Sequence, residues 1–364
     1  MKQICFDAFG PPALVARCHE IADPGSPAAW EVVVDIDACT ITPADLARLA
    51  GRYGELPTLP ATLGLEGVGH VTACGASVKT LAVGDRVIVV GNDNWCQRRR
   101  LPAAMLHKVP AHLDVLQLAA LKVSACTALE LVRRAAPLAR GDWIVQTAPL
   151  SSVGRAVMQV ARHDGLRTLN VVRRPEAAAE VLAAGGDAAV EDGPLLADAV
   201  RRATDGAPLS IALDAVGGDG VARLAALLAR SGTLVNYGML SGQPMRIDCE
   251  HAIFGGVTVK GFWLTQRLSR MSLAQRDALI GEAVDLLERG VLQTQVSATF
   301  ALEAIGDALR HADQPGRRGK VFLLPNGPLN GSLPGPLCAP SSGETEEAAV
   351  TSRECTDADA LAPG

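Results

Sequence analysis

Two arginines and a serine-containing turn carry the first chemical signal in this sequence. The turn PLSSVG follows an apolar run, and Arg173 and Arg174 close the next apolar run about twenty positions later. Paired guanidinium groups at that spacing suit the 2′-phosphate of NADPH, whereas an acidic residue there would accept from the ribose of NAD. The alternative is two solvated arginines that end a strand at the surface.

The elements around this turn form the order strand, turn, helix, strand. Apolar residues at 143–148 and 169–172 flank an amphipathic helix, whose start attracts a pyrophosphate through its N–H groups and dipole. The glycine fingerprint is incomplete because only Gly154 stands at its third position, but the hydroxyls of Ser151 and Ser152 can donate to phosphate. The predicted cofactor contacts of this unit are Ser151, Ser152, Val153, Gly154, Arg173 and Arg174.

Length and composition predict an α/β protein of two domains. The 364 residues are 48% hydrophobic, and a net charge of −5 gives no reason to expect nucleic acid or an anionic membrane as partner. Short strands over 1–120 suit a small, partly open β-barrel, and alternating strands and helices over 121–266 predict a doubly wound parallel sheet. Residues 325–364, rich in Pro, Gly, Ser and acid, are expected to be disordered.

The sequence shows no targeting or membrane-spanning signal. After one lysine, its first residues alternate between apolar and polar side chains as in a strand. No apolar run is long enough to cross a bilayer. Its nine cysteines are scattered and never form a CxxC pair. We therefore expect a cytoplasmic protein with reduced thiols.

Several motifs resemble the medium-chain dehydrogenase/reductase superfamily over residues 1–324. Besides the cofactor unit, they are EGVGHV at 66–71, VGDRV at 83–87 and ACTAL at 125–129. More narrowly, the chain is similar to the zinc-free 2-enoyl thioester reductases. The stretches that carry this similarity are TPADLARLAGRYG at 42–54, GLRTLNVVR at 165–173, SGTLVNYGM at 231–239 and GFWLTQ at 261–266.

This resemblance implies both an architecture and a reaction. It implies a GroES-like catalytic domain over 1–120 that is completed by 267–324, with a Rossmann domain over 121–266 between them. A cleft between the domains would take NADPH and an enoyl thioester of CoA or acyl carrier protein. The reaction would be reduction of the 2,3 double bond, and two chains would pair through their Rossmann edges.

The sequence contains two tyrosines, and one of them matches the catalytic tyrosine of that family. Tyr53 lies in the loop GRYG, and its hydroxyl could donate to the enolate oxygen or supply the proton for Cα. The alternative is a loop aromatic that packs on the surface. Tyr237 ends a predicted strand at the carboxyl edge of the sheet, where ligands lie.

The resemblance also assigns contacts with the two ends of the cofactor. Ser124 stands where the family often carries asparagine near the nicotinamide, and Lys320 matches a lysine near the adenosine phosphate. The alternative for Lys320 is a solvated charge at the start of a strand. The remaining contacts that the resemblance implies are Tyr237, Gly238, Met239, Leu240, Phe262, Trp263 and Leu264.

We expect no metal ion. Relative to the zinc-dependent alcohol dehydrogenases, the resemblance places Thr42, Leu65 and Val123 at the three ligand positions, and none of these side chains binds zinc. Glu66 and Asp45 recur in the superfamily pattern and are expected to be structural here.

Three questions stay open at this point. The first alternative to the enoyl thioester reductase is an NADPH quinone or enone reductase of the same fold, and the second is a non-catalytic dinucleotide-binding protein. Residues 97–100, QRRR, could bind the phosphates of coenzyme A or an acidic carrier protein, or could form a solvated loop.

Overall fold

A computed structural model describes residues 1–329 of the chain. The predicted disorder of 325–364 therefore lies, from residue 330 onward, outside the described residues. The strands are β1 (Lys2–Phe6), β2 (Arg17–Glu20), β3 (Glu31–Ile41), β4 (Ala61–Thr62), β5 (Gly67–Cys74), β6 (Arg86–Val89), β7 (Arg98–Pro102), β8 (Leu106–Lys108), β9 (Trp143–Thr147), β10 (Arg167–Val172), β11 (Ala188–Glu191), β12 (Ile211–Asp214), β13 (Thr233–Asn236), β14 (Thr258–Gly261), β15 (Val296–Phe300) and β16 (Lys320–Leu323).

The helices lie mainly between the strands of the second half of the chain. They are α1 (Pro12–Val15), α2 (Pro43–Leu49), α3 (Val115–Ala119), α4 (Cys126–Arg134), α5 (Ser152–His163), α6 (Glu176–Ala183), α7 (Leu196–Ala203), α8 (Gly220–Leu227), α9 (Cys249–Ile253), α10 (Leu264–Ser269), α11 (Leu273–Glu288) and α12 (Ile305–Asp313). A π-helical turn over Leu121–Ala125 joins α3 to α4. None of the described helices combines the length and the apolar character needed to cross a membrane.

The predicted parallel sheet is present, with strand order β11-β10-β9-β12-β13-β14. All of its pairings are parallel, and helices connect its successive strands. Every residue of β9 is buried, as is typical of a central strand covered on both faces. The strand order reverses direction between β9 and β12. In sheets of this kind, dinucleotides bind in the crevice that such a reversal creates at the carboxyl ends of the strands.

The other large sheet contains strands from both ends of the described chain. Its order is β15-β16-β3-β5-β6-β8, with β7 paired to β3. β16 runs antiparallel to β3, with Val321 opposite Ile41. A separate three-stranded sheet has the order β2-β1-β4. The predicted α/β class, with a GroES-like part and a Rossmann part, is confirmed, whereas the domain boundaries at 120 and 266 stay predictions.

One hydrophobic core spans both large sheets and fixes the cleft between them. Ile88 on β6 and Val90 just after it belong to the same buried cluster as Val157 on α5 and Leu264 at the start of α10. Because protein interiors are close-packed, a shared core of this kind holds the two walls of the cleft at a set separation.

The structure corrects the sequence predictions at three places. The β-branched and aromatic residues of 257–264 favour one strand over the whole segment, but β14 ends at Gly261 and α10 begins at Leu264. β15 and α12 were not predicted. Residues 98–102 form β7 rather than a loop, since they pair in antiparallel register with β3.

Candidate active site

A cavity of about 450 Å³ opens between the two large sheets. It is lined by most of the residues predicted from the sequence, together with residues of α2, the π-helical turn and α11. The predicted residues among them are Tyr53, Ser124, Ser151, Ser152, Val153, Tyr237, Gly238, Leu240, Phe262, Trp263, Leu264 and Lys320. The lining does not include Gly154, Arg173, Arg174 and Met239.

Tyr53 lies inside the cavity and is paired with Trp263. The Trp263 Nε1 donates a 2.7 Å hydrogen bond to the Tyr53 hydroxyl, and the two rings meet edge to face with centroids 5.7 Å apart. Tyr53 follows α2, and Trp263 caps the start of α10, so each ring comes from a short segment anchored by a helix. The hydroxyl accepts from tryptophan and so keeps its own O–H available to another acceptor.

The turn before α5 places the backbone close to the crevice. The Ser151 hydroxyl caps the helix by accepting from the Gly154 N–H at 3.1 Å, which leaves the serine O–H free to donate. A side-chain carbon on Gly154 would lie 2.5 Å from the Ala148 carbonyl oxygen, so only glycine lets the helix approach the turn this closely. Ala148 itself has a φ of 47°, a left-handed conformation that tightens the turn.

Asp214 organises the strand ends around this turn, and sequence analysis missed it. Its buried carboxylate accepts from the Thr147 hydroxyl at 2.8 Å and from the Gly217 N–H at 2.8 Å. It also accepts from the Asn236 amide at 2.8 Å. One side chain therefore ties together the carboxyl ends of β9, β12 and β13. The available signal was an acidic residue at the end of the wholly apolar run Ile211–Leu213.

Tyr237 presents a buried hydroxyl without a partner. Its oxygen makes no hydrogen bond of ordinary geometry within the described residues, although it lies beside Ser151. Burial, and to a lesser degree the nearby Asp214 carboxylate, raise the pKa of this phenol. The group is therefore a neutral donor that lines the cavity with its hydrogen-bonding capacity unused.

Arg173 and Arg174 lie just beyond the carboxyl end of β10. Both are exposed, and within residues 1–329 neither has a carboxylate oxygen within 4.0 Å. A side-chain carbon built on Gly316 would lie 4.0 Å from an Nη atom of Arg174, and Arg318, two residues further on, pairs with Glu180 at 2.9 Å. This corner of the crevice thus holds two uncompensated guanidinium groups.

Lys320 is buried in the cavity wall, so the alternative of a solvated charge at the start of a strand is wrong. It is 3% exposed, its ammonium group pairs with the fully buried Glu66, and it donates to the Ser124 hydroxyl at 3.1 Å. Glu66 also accepts from the Val123 N–H at 2.7 Å and from the Thr40 hydroxyl at 2.5 Å. Lys320 is therefore committed to a carboxylate and a hydroxyl rather than free for an adenosine phosphate. Glu66 is structural, as expected.

The three positions assigned to zinc ligands come together in the structure. Thr42, Leu65 and Val123 all line the cavity, in front of Glu66. Neither their side chains nor any group of three or more His, Cys, Asp or Glu side chains among the described residues is arranged to hold a metal ion.

The structure adds three cationic side chains that sequence analysis did not select. One of them, Arg317, donates to the backbone carbonyls of Ala312 and Gly319. Lys122, on the π-helical turn, and Arg276, on α11, both line the cavity. Lys122 lies in a π-helical turn, and such turns are frequent at functional sites. This structural feature, rather than the sequence, points to Lys122.

The three arginines of residues 97–100 have partners in β3 or in the neighbouring loops. Arg98 binds Asp35 at 2.5 Å, Arg99 donates to the Asn94 side chain at 3.3 Å, and Arg100 donates to the Pro24 carbonyl at 2.6 Å. These contacts disfavour a phosphate-binding role for QRRR.

Comparisons with known proteins agree with this architecture. Residues 28–111 match the alcohol dehydrogenase GroES-like domain, and residues 152–278 match the zinc-binding dehydrogenase family. The quinone oxidoreductase of Pseudomonas syringae pv. tomato superposes with a TM-score of 0.80 at 26% identity, over 89% of this chain and 99% of that one. The two sheets and the cleft between them define the protein as a medium-chain dehydrogenase/reductase.

The sequence comparison narrows this class. The mitochondrial enoyl-acyl-carrier-protein reductase of Xenopus tropicalis is 32% identical over 333 residues, which cover 89% of this chain and 95% of the relative. A Candida tropicalis 2-enoyl thioester reductase, Etr1p, solved with NADP and crotonyl-CoA, shares the fold with a TM-score of 0.80 at 23% identity, over 89% and 99% of the two chains. The chain belongs to the family of the enoyl-acyl-carrier-protein reductases.

Proposed function

We propose that this protein reduces the 2,3 double bond of trans-2-enoyl thioesters with NADPH. The observation that carries the proposal is the hydrogen-bonded pair of Tyr53 and Trp263 in the cavity that also holds Ser151 and Tyr237. A proton donor thereby shares one cleft with the dinucleotide turn. Family membership supports the same reaction, because the 32% identical relative is named an enoyl reductase.

The residues of the crevice fit NADPH. The N-terminus of α5 and the free O–H of Ser151 suit a pyrophosphate, and the unpaired Arg173 and Arg174 suit a 2′-phosphate. The buried hydroxyl of Tyr237 is a donor that awaits a polar partner. When bound, NADPH supplies the hydride that the reaction needs.

The chain's own residues account for the remaining requirements of the reaction. Addition of hydride to Cβ moves the electron pair of the double bond toward the thioester oxygen, and a proton must then reach Cα to complete the saturated thioester. Since Ser151 and Tyr237 serve the cofactor, the O–H of Tyr53 is the free donor that remains for the substrate. Trp263 positions it by donating to its oxygen, so that the O–H rather than a lone pair faces the reacting atoms.

We also propose that the reaction proceeds without zinc. The side chains of Thr42, Leu65 and Val123 supply no thiolate or imidazole at the position where related dehydrogenases hold a catalytic metal. In their absence, the hydrogen bond from Tyr53 provides the polarisation of the thioester oxygen.

The proposed partners follow from the same reasoning. The substrate is carried by CoA or by an acyl carrier protein. We propose a homodimer that pairs through β14, the edge strand of the parallel sheet. Two apolar side chains close to it in the chain, Ile253 and Phe254, are each 69% exposed. Phe254→Asp should shift the mass measured by light scattering from dimer to monomer. The cytoplasmic location stays a prediction.

The proposal is tested by NADPH oxidation with crotonyl-CoA and a longer enoyl-CoA, run beside a quinone and beside NADH. We expect NADPH-specific reduction of the thioesters, with kcat lowered at least about 100-fold in Tyr53→Phe. NADPH binding, measured by fluorescence titration, should be unchanged in that variant, which controls for its fold.

A second candidate, an NADPH quinone reductase, is favoured by the structural similarity to the Pseudomonas syringae protein. A quinone does not need a proton donated at carbon, so turnover confined to the quinone and indifferent to Tyr53→Phe would establish this candidate instead. Binding of NADPH without turnover of any acceptor would indicate a non-catalytic binding protein.

A further inference from the structure

Arg276 places an unpaired guanidinium group on the wall of the substrate cavity. The residue lies in the first turns of α11 and is half-buried. Its Nε is buried without a hydrogen-bond partner, and its Nη1 has one weak contact, to the Met105 sulfur at 3.9 Å. Within residues 1–329 no carboxylate oxygen lies within 4.0 Å of it. A buried donor left unpaired costs about 1–3 kcal/mol, so this arrangement calls for a ligand.

Lys122 adds a second positive charge to the same wall. It is 5% exposed, and its ammonium group donates to the Leu65 carbonyl at 2.6 Å and lies 3.4 Å from both the Gly91 carbonyl and the Asn92 side-chain oxygen. These partners are neutral. Burial lowers the pKa of Lys122 to about 8, and the nearby Glu66 carboxylate opposes that shift, so the side chain is mostly protonated at neutral pH.

Met105 connects the two cations. Its carbonyl accepts a 2.9 Å hydrogen bond from Val90, the residue before Gly91, while its sulfur contacts Arg276. Lys122, Gly91, Met105 and Arg276 therefore form one continuous part of the cavity lining. We call this part the cationic wall.

The chemistry of the cationic wall specifies its ligand. The planar fork of a guanidinium group matches the two oxygens of a carboxylate or phosphate, and a nearby ammonium adds attraction without directional demand. An uncharged acyl chain would leave the buried Nε of Arg276 without a partner, which is unfavourable.

We propose that the cationic wall binds an anionic oxygen group of the substrate, and that Arg276 thereby determines specificity. This inference rests on the proposed reduction of enoyl thioesters in the same cavity. The anion has two sources, a carboxylate at the far end of the acyl chain or the phosphate of the thioester carrier. Both have the oxygen geometry that the guanidinium requires.

The test compares Arg276→Met with wild type on four substrates: crotonyl-CoA, glutaconyl-CoA, the 2-enoyl-CoA with a terminal carboxylate three methylenes further out, and crotonyl N-acetylcysteamine, which has no phosphate. An acyl carboxylate predicts a 10- to 100-fold loss of kcat/KM for one or both carboxylated substrates, with the crotonyl thioesters within twofold. A carrier phosphate predicts a similar loss for every CoA thioester and no loss for crotonyl N-acetylcysteamine.

Two controls keep the test decisive. Arg270→Met removes the same charge from an exposed residue outside the cavity and should leave all four substrates unaffected. If Arg276→Met does not fold, Arg276→Lys and competitive inhibition of the wild-type enzyme by glutarate and by inorganic phosphate take its place. Inhibition by either anion that weakens at least fivefold in Arg276→Lys would support the proposal.

The outcomes that overturn the inference are specific. Equal losses on all four substrates, or no change on any of them, would show that Arg276 does not bind an anion of the substrate. If wild type reduces no enoyl thioester at all, the proposed function fails; if it reduces the crotonyl thioesters and Arg276→Met preserves every substrate ratio, this inference alone fails.

Discussion

Trp263 donates to the hydroxyl of Tyr53 across 2.7 Å, although the two residues are 210 positions apart in the chain. The contact joins the loop that follows α2 to the segment that follows the last strand of the parallel sheet. Its geometry sets the direction in which the phenolic O–H points.

Trp263→Phe should lower kcat for crotonyl-CoA about fivefold to tenfold while changing KM little. Phenylalanine retains the edge-to-face contact but removes a hydrogen bond worth about 1 kcal/mol that orients Tyr53. Steady-state kinetics check this, and a variant as active as wild type would show that the tyrosine is positioned by packing alone.

Replacement of both Arg173 and Arg174 by alanine should raise KM for NADPH about 10- to 100-fold, because each guanidinium would lose a charge-assisted bond to the 2′-phosphate. The kcat/KM for NADH, which lacks that phosphate, should stay within twofold. Arg202→Ala, an exposed arginine on α7, is the matched control. An equal rise for both cofactors would contradict the assignment.

Lys320→Met should lower the free energy of unfolding by about 3–5 kcal/mol, because it leaves the Glu66 carboxylate buried without its cation. Adding Glu66→Gln should restore part of that loss, since the amide carries no charge to desolvate. Urea denaturation of the two single variants and the double variant measures the coupling energy between Lys320 and Glu66. If the two losses of stability simply add, the side chains do not act as an ion pair.

Asp45 should make the stability fall as the pH rises. Burial raises the pKa of its carboxyl from 3.8 to about 6, so between these values the folded protein holds a proton that the unfolded chain has released. Its contribution is complete below about pH 4 and is lost as the pH rises through 6, which amounts to about 3 kcal/mol at neutral pH. Asp45→Asn should therefore gain about that much relative to wild type between pH 4 and 7.

The free energy of unfolding of wild type and Asp45→Asn, measured at pH 4 and at pH 7, tests this prediction. Asp313→Asn, at an exposed position, is the control and should not gain stability over wild type between these pH values. The same difference between wild type and Asp45→Asn at both pH values would mean that the carboxyl titrates normally.

Gly154→Ala should destabilise the protein by about 1–3 kcal/mol and weaken NADPH binding, because the added carbon would meet the backbone of the cofactor turn. Gly193→Ala, which places a carbon in open space, should be close to neutral. Calorimetry and cofactor titration test both variants, and a stable Gly154→Ala with normal affinity would refute the steric argument.

Local sequence signals were sufficient for much of the fold and for the cofactor turn. The helix over Pro43–Leu49 and the turn before α5 carry their own capping residues, Thr42 and Ser151, so their positions follow from a few neighbouring residues. β15 was missed because it is short and is defined by its pairing with β16. α12 was overlooked although its buried residues, Ile305, Ala308, Leu309 and Ala312, follow the helical spacing.

The polar contacts of the site depend still more on long-range pairing. The partner of Lys320 is Glu66, which lies 254 positions away in the chain. The residues next to either side chain in the sequence do not indicate this pairing. Arg276 likewise belongs to an ordinary helical pattern, and its place on the cavity wall emerges only when α11 packs against the π-helical turn.

The pairing of β16 with β3 also has a consequence for biosynthesis. All strands of the parallel sheet leave the ribosome before β15 and β16 do, and domains generally fold as units during synthesis. The dinucleotide-binding half can thus take shape while β3 still has an open edge where β16 will pair. That edge is a site at which nascent chains could associate wrongly, and its closure by β16 coincides with burial of the Lys320 charge and completion of the cleft.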